Sequence, residues 1–137
     1  MATIHFLEVA LPPPFVTHQP GAARLDIFRI APDRKVLITG GASGFGFATA
    51  RKLVGLGASV AIADIEENRL ARAAGALDGN TVPIQMDVAD KASVERGVAR
   101  AVRSMGGLDT VVCCAGVFRF GDFMKITEDE WDWTVDI

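Results

Sequence analysis

The segment Lys35–Gly46, which reads KVLITGGASGFG, constrains the fold of this chain more than any other. Its first half is a nearly all-apolar run, as expected of a strand covered on both faces. Its second half is rich in glycine and leads into a helical pattern. Gly40 can form the turn at the strand end, Gly44 can let the backbone approach a pyrophosphate, and Gly46 can let helix and strand pack closely. With the unpaired N–H groups of a helix start, this predicts a phosphate-binding loop.

A glycine repeat alone also marks ordinary turns, so the next strand decides the interpretation. That strand ends at Asp64, where a carboxylate can accept both ribose hydroxyls of an adenosine. A carboxylate there also repels the additional phosphate of NADP. Because Asp64 is followed by Ile65 and not by arginine or lysine, the sequence favours NAD over NADP as the cofactor. The alternative role for Asp64 is to cap the following helix.

Short apolar runs alternate with helical periodicity from Arg34 onward, which predicts an α/β fold with a parallel sheet. One amphipathic helix follows from the spacing of Leu70, Ala73, Ala74 and Leu77, and a second from Val94, Val98, Ala101, Val102 and Met105. The predicted strands are Lys35–Thr39, Ser59–Ala63, Val82–Met86 and Leu108–Cys113.

The predicted helix ends carry recognisable signals. Asp90 can cap the helix after the third strand, and Gly57 can end the helix that starts near Gly44. Thr127 and Glu130 have capping-box spacing, which predicts a last helix from residue 128 that continues to the end of the chain.

The region Met1–Asp33 differs from the rest because its prolines interrupt regular structure. It is predicted to be an irregular extension with at most a short strand at Leu25–Ile30, before a partial dinucleotide-binding domain at 34–137.

A net charge of -3 without a basic block argues against nucleic acid and anionic membranes as partners. Apolar runs are too short to span a membrane, and Cys113 and Cys114 are adjacent, so a reducing, cytoplasmic setting is expected.

Over Arg34–Ile137 the sequence resembles the classical short-chain dehydrogenase/reductase superfamily. That family writes its loop as Thr-Gly-x-x-x-Gly-x-Gly, as found at 39–46, and places an adenine contact at the position of Asp87-Val88. The resemblance implies a Rossmann-like doubly wound parallel sheet, truncated here after the fourth strand and its following helix, and NAD(P)-dependent oxidoreductase identity. The predicted cofactor-binding residues are Thr39, Gly40, Ser43, Gly44, Phe45, Gly46, Asp64, Ile65, Asp87, Val88, Cys114, Ala115 and Gly116.

The family's Asn-Asn-Ala-Gly signature is replaced by Cys113-Cys114-Ala115-Gly116. Thiols make poorer hydrogen bonds than the amide side chains of asparagine, so this departure bears on cofactor affinity. The cysteines themselves are interpreted as small apolar residues at a strand end, and no metal site is predicted.

The family's catalytic set is a serine, a Tyr-x-x-x-Lys element and an asparagine, and none of these can be placed here. The chain contains no tyrosine, so no catalytic residue is predicted and little or no activity is expected from the chain alone. A small-molecule substrate is expected only if a C-terminal half is supplied, and the family's dimer interface is expected to be absent. The alternatives are a free-standing dinucleotide-binding module or sensor, and a half that pairs with a separately encoded chain.

The segment after Gly116 contains two further groups of candidate residues. Asp122 and Lys125 are interpreted as solvated loop charges. The phenylalanines of this segment can either line a substrate pocket or pack against the last helix; they are Phe118, Phe120 and Phe123.

Overall fold

The computed structural model describes residues 33–77 and 81–137 of the chain. Most of the predicted N-terminal extension, including the possible strand at Leu25–Ile30, lies outside the described residues. The elements are, in chain order, β1 (Lys35–Thr39), α1 (Gly44–Gly55), β2 (Ser59–Asp64), α2 (Glu67–Ala76), β3 (Thr81–Gln85), α3 (Lys91–Met105), β4 (Thr110–Cys113), a 3₁₀ helix (Phe123–Lys125) and α4 (Glu128–Val135).

The four strands form one parallel sheet in the order β3-β2-β1-β4, which confirms the predicted Rossmann-like topology. In the centre of the sheet Val36 pairs with Val60 of β2 and with Thr110 of β4. Pro83 is tolerated because β3 is an edge strand, where a missing backbone donor costs little.

Both faces of the sheet are covered, because side chains of a strand alternate between faces. Val36 and Ile38 point to one face and belong to a core cluster with residues of α1 and α2, such as Leu53 and Leu70. Leu37 points to the opposite face and belongs to a second cluster, which includes Ala101 of α3. The sheet is therefore doubly wound, with α1 and α2 on one side and α3 on the other.

The strand boundaries differ slightly from those predicted. β2 includes Asp64, and β3 lies one residue earlier than expected. β4 begins at Thr110 and not at Leu108, because Asp109 accepts a hydrogen bond from Lys35 with its side chain and not with its backbone. The N–H of Asp109 donates to the Lys35 carbonyl at 2.9 Å, while the Lys35 N–H donates to Asp109 Oδ2 at 2.9 Å. A side chain thus takes the place of a ladder partner.

The predicted helix caps are present. The Asp90 carboxylate accepts the N–H of Ala92 at the start of α3, and Gly57 has a positive φ of 89° just after α1. Thr127 and Glu130 form the capping box of α4. The prediction that this last helix continues to the end of the chain was wrong, since α4 ends at Val135. The carbonyl groups of a last turn have no intrahelical donor, and helix ends shorten accordingly.

The fourth strand is the least covered part of the sheet. Thr110, Val111 and Cys113 are exposed and Val112 is half-buried, whereas the residues of β2 from Val60 to Asp64 are all buried. Within residues 33–77 and 81–137 there is no helix with the length and apolar character that crossing a membrane requires.

Candidate functional site

The loop between β1 and α1 is held tightly against its surroundings by two glycines. Gly40 has a φ of 63°, and a Cβ there would lie 2.7 Å from the backbone nitrogen of Ala115. A Cβ on Gly46 would overlap the carbonyl oxygen of Gly40. These contacts match the predicted roles of turn and close helix packing. Any side chain at either position would push α1 or the end of β4 away from the loop.

The outer side of the same loop is open. A Cβ on Gly44 would meet no described atom within 4 Å, and the neighbouring Ser43 and Phe45 are exposed. Ser43 occupies the N-cap position of α1 but its side chain makes no cap bond. The first intrahelical bond of α1 runs from the Phe47 N–H to the Ser43 carbonyl at 3.0 Å. The N–H groups before Phe47 have no intrahelical acceptor, and the surface at Ser43, Gly44 and Phe45 is exposed, so this first helical turn can bind an anion.

Asp64 lies at the end of β2, directly beside this loop. It is 8% exposed, and its two carboxylate oxygens accept different backbone N–H groups. Oδ2 accepts from Ala42 of the glycine loop at 3.3 Å, and Oδ1 accepts from Glu66 at 3.2 Å. The alternative role of Asp64 as a helix N-cap was wrong, because Glu66 occupies the N-cap position of α2. The bond to Ala42 fixes the carboxylate relative to the loop.

A cation lies near Asp64 that the local sequence did not indicate. Arg69, in the first half of α2, places its Nη2 atom 3.9 Å from Asp64 Oδ1. No basic residue follows Asp64 directly in sequence, but the first turn of α2 folds back and brings Arg69 to it. The helical spacing predicted for this segment fixes where Arg69 lies relative to the buried Leu70, but it does not fix where Arg69 lies relative to Asp64, which precedes the helix.

Thr39 fastens the end of β1 to the segment after β4. Its Oγ1 accepts the N–H groups of Cys114 and Ala115, each at 3.2 Å, and its carbonyl oxygen accepts the Cys114 N–H at 3.1 Å. These bonds use backbone donors, so they form with a thiol at position 114 as well as with an amide. Cys113 and Cys114 are free thiols. Among the described residues no group of ligands suited to a metal ion is found.

Asp87 and Val88 follow β3 and lie before α3. The Asp87 N–H donates to Ser93 Oγ at 3.0 Å, and Asp87 Oδ1 accepts the Ala89 N–H at 3.0 Å. Val88 is half-buried and packs against the second core cluster. Ser93, which is not among the predicted site residues, orients this turn. Its hydroxyl next to a helix start was the available signal.

The predicted site residues all lie at one edge of the sheet, because the carboxyl ends of parallel strands meet there. Direct contacts join the segments after β1, β2 and β4, whereas the described contacts of Asp87 are confined to its own turn. Ile65 and Gly116 are exposed at this edge. Gly41 was missed in the sequence analysis: a Cβ there would lie 2.8 Å from Ile62 Cβ, so the loop also packs on β2.

The segment after Gly116 forms a separate cleft of about 430 Å³ against α4. The rings of Phe118 and Phe120 are in edge-to-face contact with their centroids 4.9 Å apart. Arg119 pairs with Glu130 at 2.8 Å and lies over Trp133. The phenylalanines of this segment are exposed, which disagrees with burial against the last helix. They line the cleft with residues of α4 such as Trp131, Thr134 and Val135.

The loop charges agree with the sequence analysis. Asp122 and Lys125 are exposed and form a pair at 3.7 Å, and Asp122 also accepts the Met124 N–H.

Three features are typical of Rossmann-fold proteins that bind dinucleotides: the sheet topology, the glycine loop and the carboxylate at the end of β2. The family model described as short chain dehydrogenase matches residues 34–137, so the chain belongs to the short-chain dehydrogenase family.

Curated relatives from bacteria are similar over the same region. The chain is 38% identical over 107 residues to 2,5-dichloro-2,5-cyclohexadiene-1,4-diol dehydrogenase LinX of Sphingobium indicum, covering 74% of this chain and 42% of that protein. It is 36% identical over 106 residues to oxidoreductase UcpA of Salmonella typhimurium, covering 76% and 40% respectively. The chain thus spans about 40% of the length of the curated relatives that it matches.

Solved structures share the fold. A 3-ketoacyl-(acyl-carrier-protein) reductase from Brucella melitensis complexed with NADH superposes with a TM-score of 0.73 at 30% identity, over 77% of this chain and 45% of that chain. A short chain dehydrogenase from Mycobacterium smegmatis gives a TM-score of 0.72 at 30% identity, over 76% and 46%.

Proposed function

We propose that this chain is the dinucleotide-binding half of an NAD-dependent oxidoreductase. The observation that carries the proposal is the bond from the Ala42 N–H to Asp64 Oδ2 at 3.3 Å, which joins the open glycine loop to a buried carboxylate. A dinucleotide presents a pyrophosphate and a ribose diol a short distance apart, and this arrangement offers one group for each. The NADH complex of the similar Brucella reductase supports the same assignment.

The residues present suit such a ligand. The open side of Gly44 and the N–H groups at the start of α1 would take the pyrophosphate. Each Asp64 oxygen accepts one backbone N–H and retains a further lone pair for a ribose hydroxyl. Gly116, exposed after β4, would lie toward the nicotinamide end. When bound, the nicotinamide ring supplies hydride transfer; the chain's own residues bind and orient it.

We propose NAD in preference to NADP. A carboxylate that accepts two ribose hydroxyls repels a phosphate esterified to one of them. Asp64 is buried and held by two backbone donors, so it cannot swing aside without losing both bonds.

A second candidate function is that of a dinucleotide-binding module or sensor without catalysis, and the observation that bears on it is that these 137 residues contain no tyrosine. Without the phenol that the family uses for proton transfer, the chain would bind the dinucleotide without turning it over, as a sensor or module does. Oxidation of a small-molecule alcohol or reduction of a carbonyl would need residues that these 137 do not include. Activity of the 137-residue chain with NAD+ and simple alcohols would count against this second function.

The decisive test is a titration of the chain with NADH by calorimetry and NADH fluorescence, beside two matched glycine variants. Gly44→Ala adds a methyl group to the open face of the loop, and we expect NADH affinity to fall at least about tenfold. Gly106→Ala is the control, because Gly106 also has a positive φ, 71°, and equally open surroundings, but lies at the end of α3. Equal loss in both variants, or no binding by the folded parent chain, would refute the proposal.

The remaining expectations follow from the same features. We expect a dinucleotide as the ligand. The net charge of -3 argues against a nucleic acid or a membrane as a partner. The two adjacent free thiols support a reducing, cytoplasmic setting.

A further inference from the structure

A positive charge lies near Asp64, and the proposed preference for NAD, which was argued from Asp64 alone, does not account for it. Arg69 Nη2 lies 3.9 Å from Asp64 Oδ1, and the Arg69 side chain is 45% exposed. At that distance the two groups attract each other but do not form a hydrogen bond. The guanidinium donors are therefore not committed to the carboxylate, and five donors in a planar fork suit a phosphate.

Arg69 also faces the glycine loop. A shallow cavity of about 310 Å³ beside α2 is lined by Ala42, Phe47, Arg69, Arg72, Ala73 and Ala76. Two of these residues also contact Asp64, since the Ala42 N–H donates to its Oδ2 and Arg69 pairs with its Oδ1. The cations at this surface come from one face of α2, since Arg69 and Arg72 are three residues apart.

We propose that Arg69 determines how strictly the site discriminates between NAD+ and NADP+. A ribose hydroxyl bound by Asp64 is the same hydroxyl that carries the additional phosphate in NADP+. A phosphate at that oxygen must lie next to the carboxylate, and hence within reach of a guanidinium that is itself 3.9 Å from the carboxylate. Asp64 repels that phosphate and Arg69 attracts it. The discrimination imposed by Asp64 is thereby weakened, and the chain binds NADP+ measurably as a second ligand. This inference rests on the proposed function.

The surrounding charges set the balance. Glu66 and Glu67 are exposed at the start of α2 and add negative charge near the same point. NAD+ therefore stays the better ligand, and the contribution of Arg69 is a reduced ratio of the two dissociation constants. Because the guanidinium is half-exposed, added salt screens its attraction for a phosphate.

The test measures Kd for NAD+ and NADP+, and for AMP and adenosine 2′,5′-bisphosphate, by calorimetry on the 137-residue chain and on Arg69→Gln. We expect Arg69→Gln to raise the ratio of Kd for NADP+ to Kd for NAD+ by about tenfold, mainly through weaker NADP+ binding. The bisphosphate should lose affinity likewise while AMP does not. Arg69→Lys, which keeps the charge but not the planar fork, should restore part of the effect.

Arg96→Gln is the matched control. Arg96 pairs with Asp90 at 3.8 Å at the start of α3, so the substitution removes an equivalent pair and the same charge elsewhere. An unchanged ratio in Arg69→Gln, or an equal change in Arg96→Gln, would overturn the inference while leaving NAD+ binding, and so the proposed function, intact. A folded parent chain that binds neither dinucleotide overturns both.

Discussion

Two regions of this chain are built from similarly apolar sequence but differ in how much of it they bury. The glycine-loop region, residues 35–64, contains β1, α1 and β2, and Ile38, Val60 and Ile62 are fully buried there. The β4–α4 region, residues 110–135, has no buried residue, and its Phe120 is 93% exposed. An apolar strand pattern thus predicts the strand, while burial depends on which neighbours cover it.

The same contrast extends to the polar groups. In the glycine-loop region Asp64 is buried and bonded to two backbone donors on different elements. In the β4–α4 region the described bonds after Ala115 are local, as in the capping box and in the exposed pair Arg119–Glu130. Long-range bonds order distant parts of a chain relative to each other, and local bonds order only their own turn. We therefore expect the glycine-loop region to keep the geometry of its site, and we expect the position of the β4–α4 region to depend on that of the glycine-loop region.

The largest effect is expected from truncating a central apolar side chain. Ile62→Ala should lower the free energy of unfolding by about 2–5 kcal/mol, because it leaves a cavity between β2 and the helices on that face. Val111→Ala is the matched change in β4, where the side chain is 50% exposed, and should cost less than about 1 kcal/mol. Urea unfolding followed by circular dichroism measures both. Equal costs would break the comparison, since they would mean that β4 is as well covered as β2.

The next effect comes from adding a methyl group where the glycine-loop region is packed most closely. A Cβ on Gly46 overlaps the carbonyl of Gly40, so Gly46→Ala should cost about 1–3 kcal/mol and weaken NADH binding. Gly55→Ala, in the same helix, meets no described atom within 4 Å and should be neutral or slightly stabilising because alanine favours helix. A neutral result for Gly46→Ala in urea unfolding would show that α1 can move away from the loop without cost.

The link between the two regions gives a smaller effect. Thr39 Oγ1 accepts the N–H groups of Cys114 and Ala115, so Thr39→Val should cost about 1–2 kcal/mol by leaving donors without a side-chain acceptor. Thr39→Ser keeps the hydroxyl and should recover most of the loss. Urea unfolding compares the pair, and amide exchange at Cys114 and Ala115 reports the link directly. Equal stability of the two variants would show that the Thr39 carbonyl alone holds the segment after β4.

The parallel α/β layout and the glycine roles could be predicted from the residues because each depends on local pattern, and the doubly wound topology was implied by the family resemblance. The apolar runs give the strands, the helical spacing gives the crossovers, and parallel strands joined by helices leave few arrangements. Gly40 and Gly46 were assigned correctly because a turn and a close approach each require glycine. The position of Asp64 beside the loop was predicted correctly because it ends the strand that follows the loop and helix.

Other features could not be predicted because they depend on tertiary contacts. Arg69 is five residues from Asp64 in sequence, and only the path of the chain into α2 brings the two within 3.9 Å. Gly41 occupies a variable position of the motif, and its need for glycine is evident only from its contact with Ile62. The start of β4 was missed because Asp109 uses a side-chain oxygen where a strand would use a carbonyl. For Gly41 and Asp109 the deciding atom belongs to a segment distant in sequence, and for Arg69 the direction in which α2 leaves β2 decides.

The smallest effect on overall stability is expected from the capping box of α4. Thr127 Oγ1 accepts the Glu130 N–H at 3.2 Å, and its loss in Thr127→Ala should destabilise the helix by about 1 kcal/mol. Because α4 contains no buried residue, this loss should accelerate amide exchange within α4 about fivefold and leave the urea midpoint almost unchanged. Asp90→Ala removes the corresponding cap of α3, which is anchored in the core by Ala101, and should lower global stability by about 1 kcal/mol. If Thr127→Ala lowered global stability as much as Asp90→Ala, α4 would unfold together with the core, because only coupling to the core can transmit a local loss to the whole chain.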